Sequence, residues 1–108
     1  MQCEQDRASS FNVEVSGWDI NENFFVENTL AEWKDSGKSV RLRRAIRQGC
    51  LLFVRLLDAN GNRDSYPVAY RARGVSAGER YDLSYVELAP VPPRDRRVVM
   101  ADVWEAKL

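Results

Sequence analysis

Along most of this chain of 108 residues, apolar and polar side chains alternate in short runs. Phe11, Val13 and Val15 alternate with Asn12, Glu14 and Ser16 and stop at Gly17, the period of a strand with one buried face. Asp19–Asn23 is turn chemistry, because Asp and Asn side chains bond their own backbone. Phe24–Leu30 returns as a second strand, Trp33–Gly37 reads as a turn, and Ser39–Arg43 sets Val40 and Leu42 against Arg41 and Arg43. After Gln48-Gly49 comes Cys50–Leu57, whose dense Leu, Phe and Val content suits a strand buried on both faces. Asp58–Asn62 contains Asn60-Gly61, a short hairpin signal since both positions accept positive φ. Strands at Ser65–Arg73 and Arg80–Leu88, joined by a loop through Gly74 and Gly78, complete the set. Six short strands at spacings of roughly 8 to 15 residues predict an all-β fold, a small six-stranded antiparallel barrel. Arg94–Leu108 fits either a short C-terminal helix, which Asp95 can cap, or an extra strand. The organisation expected is an N-terminal arm at 1–10, the barrel at 11–89 and a tail segment at 90–108.

Composition narrows the chemistry. The chain has no histidine, which removes imidazole bases, Ser-His and Cys-His nucleophile pairs, and histidine zinc sites. Cys3 and Cys50 cannot make a disulfide scaffold or a four-thiolate metal site and read as reduced thiols. Ser36 and Cys50 have no evident base, and no carboxylate pair stands out, so no catalytic residue, metal or cofactor is expected, and no enzyme. The apolar run Leu51–Val54 is far shorter than the roughly 20 residues of a membrane helix, and Met1–Asp6 has no apolar stretch for a signal peptide. A cytoplasmic protein without membrane insertion is expected. Sixteen basic residues balance sixteen acidic ones, unlike a bulk nucleic-acid coat. The charge is unevenly spread, however: residues 1–37 hold two basic and eight acidic residues, while residues 38–108 hold fourteen and eight. Such a division pairs two surfaces of one domain or orients a partner.

The order of elements resembles a known family. Val13-Glu14-Val15-Ser16-Gly17-Trp18-Asp19, then Phe25-Val26-Glu27-Asn28-Thr29, the Gly37 turn, and Val40-Arg41-Leu42 leading to Gly49 and an apolar strand, are similar to a PilZ domain. Val68–Val75 and Tyr81–Leu88 look like its last two barrel strands, so the resemblance runs from about Phe11 to Leu88. It implies a six-stranded barrel and, in binding-competent members, cyclic di-GMP held by two motifs. One is R-x-x-x-R before the first strand, whose guanidiniums pair with phosphate and lie on guanine. The other is D/N-x-S-x-x-G at the turn after the second strand. Both are incomplete here. Arg7 has neither Cys3 nor Phe11 as a basic partner, and Glu4 and Asp6 stand nearby. In the turn, Glu32 occupies the Asp/Asn position and Lys34 the Ser position, while Gly37 is kept. The resemblance therefore implies a degenerate nucleotide site, with Arg7, Glu32, Lys34, Gly37, Arg41 and Arg43 as the residues that would meet cyclic di-GMP.

Other patches carry weaker signals. Arg41, Arg43, Arg44 and Arg47 form a basic run that Trp33 or Phe53 would have to supplement for nucleic-acid binding, and solvated strand-edge arginines explain it as well. Trp18, Phe24, Phe25 and Trp33 could build a cation cage but suit core and rim packing. On the tail, Val99, Val103 and Trp104 are candidate anchors for a protein partner, and the charge division would orient a homodimer. The expectation is a bacterial PilZ-like adaptor that works by protein–protein contact. The alternatives are a functional cyclic di-GMP receptor using Arg7 and the Glu32–Gly37 turn, and a small SH3-like nucleic-acid-binding barrel.

Overall fold

A computed structural model describes residues 9–77 and 83–92. Its strands are β1 (Ser9–Trp18), β2 (Phe24–Lys34), β3 (Gly37–Leu42), β4 (Leu51–Leu56), β5 (Val68–Ala77) and β6 (Ser84–Pro90). They form a closed antiparallel barrel in the order β1-β2-β3-β6-β5-β4, with β4 pairing back onto β1. The six-stranded all-β barrel expected from the alternation is the observed fold, and no helix occurs among the described residues. The tail expected at Arg94–Leu108 lies outside them.

Alternation builds the interior. β1 buries Val13 and Val15 and turns Asn12, Glu14 and Ser16 outward or to the half-exposed face. Phe25 and Ala31 of β2, Val40 and Leu42 of β3, Leu52 and Val54 of β4, Tyr70 and Ala72 of β5, and Val86 and Leu88 of β6 join them in one cluster, with Ile46 from the β3–β4 loop. β4 is buried on both faces, as its composition predicts. Leu52 and Val54 enter the barrel, while Phe53 packs outside it with Ala69, Val91 and the partly buried Leu51. The chain leaving β6 thus covers the outer side of β4 and β5 through Val91.

Turn chemistry differs from expectation in two places. Trp33 and Lys34 continue β2 and Gly37 opens β3, so the turn is only Asp35-Ser36; Gly37 has φ +151°, a conformation side-chain-bearing residues rarely adopt. The Asn60-Gly61 signal does mark a tight loop, with Gly61 at φ +83° and the Asp58 Oδ1 accepting from the amides of Asn60 and Asn62 at 2.8 and 2.9 Å. It does not lead straight into a long hairpin. A single Leu57–Arg63 bridge follows, the Leu56 amide is taken by the Ser65 hydroxyl at 3.0 Å, and Pro67 has no N–H to extend a ladder. β5 therefore starts at Val68 rather than Ser65.

The β2–β3 seam is split. Ladder pairing covers only Ala31–Lys34 against Gly37–Val40. Beyond it side chains replace the backbone ladder: the Thr29 hydroxyl donates to the Arg41 carbonyl at 2.8 Å, and the Glu27 carboxylate accepts the Arg43 amide at 3.2 and 2.9 Å.

Candidate functional site

The split opens a cleft of about 300 Å³ on the outside of the barrel, lined by Ser10, Thr29, Leu30, Glu32, Ser39, Val40, Arg41 and Tyr85. Strand register explains the grouping, because Ser10 lies opposite Glu32, Glu32 opposite Ser39, and Arg41 opposite Tyr85. Tyr85 is the hub. Its hydroxyl donates to Glu32 Oε1 at 3.3 Å and lies 3.2 Å from Ser39 Oγ, and the Arg41 guanidinium sits 5.7 Å from its ring centroid. A smaller recess of about 210 Å³ continues past Ser39 and Tyr85 to Lys34, Ser36, Gly37, Lys38, Arg73 and Glu87. There Arg73 Nε faces Glu87 Oε2 at 3.8 Å, an exposed pair of small energetic weight.

Four of the residues selected from the sequence therefore fall along one outer groove, Glu32 and Arg41 in the cleft and Lys34 and Gly37 in the recess. Arg43 lines neither; it is exposed, one residue past β3. Arg7, Val99, Val103 and Trp104 lie outside the described residues. Lys38, adjacent to the turn, points toward the barrel end, where its ammonium is 3.4 Å from the Tyr70 hydroxyl and lies over the rings of Trp33 and Tyr70 at 5.2 and 5.4 Å. Trp33 packs edge-on against Phe11 at 5.3 Å, and Trp18 against Phe24 at 4.9 Å. Phe25 is core and carries Arg44 over its ring at 4.7 Å. The four aromatics proposed for a cation cage are thus distributed between separate contacts.

The basic run is also explained in part. Arg44 faces Asp19 at 3.9 Å and Glu27 at 3.5 Å, Arg47 donates to the Ile20 carbonyl at 3.4 Å, and Ile20 donates to the Ala45 carbonyl at 2.9 Å. With Arg63 and Glu14 at 3.3 Å, three of the four ion pairs among the described residues join the acidic first part of the chain to the basic second part. The two halves pair within the domain at these points. Ser84, the buried polar residue of β6, donates to the Arg44 carbonyl and fixes the same loop from the other side. Cys50 lies in this region half-buried, and burial pushes its thiol pKa up against the pull of Arg47 and Arg71, so it is protonated near neutral pH. Among the described residues no group of three or more acidic or cysteine side chains is placed to hold a metal ion, and no helix is long and apolar enough to cross a membrane.

Next to the cleft, the outer face of β2 is unusual for a strand facing water. Val26 and Leu30 are 51% and 56% exposed on either side of the exposed Asn28, and Phe24 is 44% exposed beside Trp18. Outward positions of a half-solvated antiparallel sheet are ordinarily polar. Sequence pattern misses this row because Phe24-Phe25-Val26 is apolar without a break, and only the register set by Ala31 against Val40 places Phe25 inside. Tyr85 and Ser39 are missed because nothing in their neighbours signals a hub. Comparisons of the chain with protein-family models, with curated proteins and with solved structures gave no match.

Proposed function

We propose that this chain is a PilZ-like barrel of a bacterial cytoplasmic signalling system that acts as a protein-binding adaptor, not as a cyclic di-GMP receptor or an enzyme. The observation that carries the reading is the apolar row on the outer face of β2, Val26 and Leu30 beside Phe24 and Trp18. Exposed apolar side chains gathered in one place mark interaction surfaces more often than scattered ones do. Three features of the groove speak against a nucleotide there. The Glu32 carboxylate lines it and repels phosphate, and Tyr85 and Ser39 already bond to Glu32 or to one another. Arg73, whose guanidinium lies by Gly37, faces Glu87.

Calorimetric titration of the whole protein with cyclic di-GMP tests the reading. A flat titration with folded protein is expected. Saturable micromolar binding that is lost in Arg7→Ala or Arg41→Ala would make the chain a receptor and end the adaptor reading. Titration of a single-stranded oligonucleotide in the same buffer covers the nucleic-acid alternative, which predicts binding that falls steeply with salt.

A further inference from the structure

The surface beside the apolar row is not neutral. Most described arginines are engaged: Arg44, Arg63 and Arg73 face carboxylates, while Arg47 and Arg71 donate to the carbonyls of Ile20 and Gly49. Arg41 and Arg43 are exposed and have no carboxylate within ion-pair distance among the described residues. Arg41 instead lies against the Tyr85 ring, which fixes its guanidinium at the cleft without neutralising it. Both follow from the split seam, since Thr29 and Glu27 hold the backbone at Arg41 and Arg43 and leave the two side chains to solvent. The nearest carboxylate across the seam, Glu27, is occupied by the Arg43 amide and by Arg44. Glu32 lines the same cleft but takes the Tyr85 hydroxyl and makes no ion pair with Arg41, so an incoming carboxylate is favoured at the Arg41 and Arg43 side chains and not at Glu32. The result is three exposed apolar side chains, Phe24, Val26 and Leu30, spread over about 20 Å of β2 with Asn28 between the last two, a cleft at their side, Arg41 on its opposite wall and Arg43 two residues further along the chain.

Resting on the adaptor reading, we infer that the partner is an extended acidic segment of another protein. Its apolar side chains lie on Val26 and Leu30 and enter the cleft, and its carboxylates meet Arg41 and Arg43. Guanidinium forks suit this because they bind carboxylates bidentately, and burying apolar area beside them supplies affinity that charge pairs alone do not. A basic segment would place like charges beside Arg41 and Arg43, and a nucleic acid would gain phosphate contacts but leave Val26 and Leu30 without a stacking partner, Trp18 and Phe24 being packed edge-on against each other.

The test is selection of peptides from a displayed random library on the immobilised full-length protein. Enriched peptides are expected to combine Asp or Glu with bulky apolar residues. Leu30→Asp and the double change Arg41→Glu with Arg43→Glu are each expected to weaken them about tenfold or more. All these side chains are exposed, and circular dichroism verifies that the variants fold; Leu30→Ser is a milder second variant. The arginine reversal should also shift selection toward basic peptides, an effect that lost folding would not produce. Enrichment of basic peptides on the unaltered protein, or no enrichment, overturns the inference. Acidic peptides whose binding ignores both variants overturn it and leave the adaptor reading standing. Saturable cyclic di-GMP binding in the separate titration removes the adaptor reading itself.

Discussion

Truncating Leu52 to alanine is expected to cost about 2–5 kcal/mol of folding stability, the range for emptying a leucine site in a packed core. Leu52 is fully buried in β4 and packs in the central cluster where β4 closes the barrel onto β1. A shift of roughly 10 °C or more in melting temperature follows for a domain of this size. The same place supplies a control. Gly17 lies opposite Leu52, and a Cβ there would sit 2.9 Å from the Leu51 carbonyl oxygen and 3.0 Å from Leu52 Cδ2. Gly17→Ala should cost about 1–3 kcal/mol through overpacking. In a Leu52→Ala background the side-chain contact disappears but the carbonyl contact remains, so the glycine change should still destabilise. Complete rescue in chemical denaturation would show that β1 and β4 do not approach as closely as the closed barrel requires.

The second large effect is expected at Glu27. Its carboxylate, with the side chain 14% exposed, accepts the Arg43 amide through both oxygens and faces Arg44. Glu27→Ala leaves that amide and the buried Arg44 Nε without this carboxylate, at a cost of about 1.5–3 kcal/mol for hydrogen bonds to a charged group. Glu27→Gln keeps one acceptor and should lose less. Because the pair fastens the β3–β4 loop to β2, hydrogen exchange should accelerate first at Arg43–Arg47 while the amides of β4 and β5 keep their protection. Uniform loss of protection would mean that Glu27 supports the whole core instead of the seam.

Much of the barrel is legible in the sequence because strands with one buried face alternate. Val13 and Val15, Val40 and Leu42, and Val86 and Leu88 all alternate and all lie inside. Leu51–Val54 carries enough apolar mass to indicate two covered faces, and β4 has them. What alternation cannot give is the lateral order of the strands, and with it the closure of β4 on β1 and the split between β2 and β3. Those depend on contacts far apart in sequence, such as Glu27 with Arg43 and Tyr85 with Glu32. The site follows the same logic. Glu32, Lys34, Gly37 and Arg41 share a groove because β2, β3 and β6 are neighbours. Lys38 turns inward to Tyr70 because its position shares the inward parity of Val40 and Leu42. The exposed row on β2 was hidden by three consecutive apolar residues whose facing only the register decides.

The most direct measurement is amide chemical-shift mapping of a selected acidic peptide on the isotopically labelled, full-length protein. The account predicts that the shifted amides cluster at Phe24–Leu30 and Arg41–Arg43, with those of the Lys34–Gly37 turn unchanged. Shifts centred on that turn and on the Arg73–Glu87 recess, with β2 silent, would contradict it.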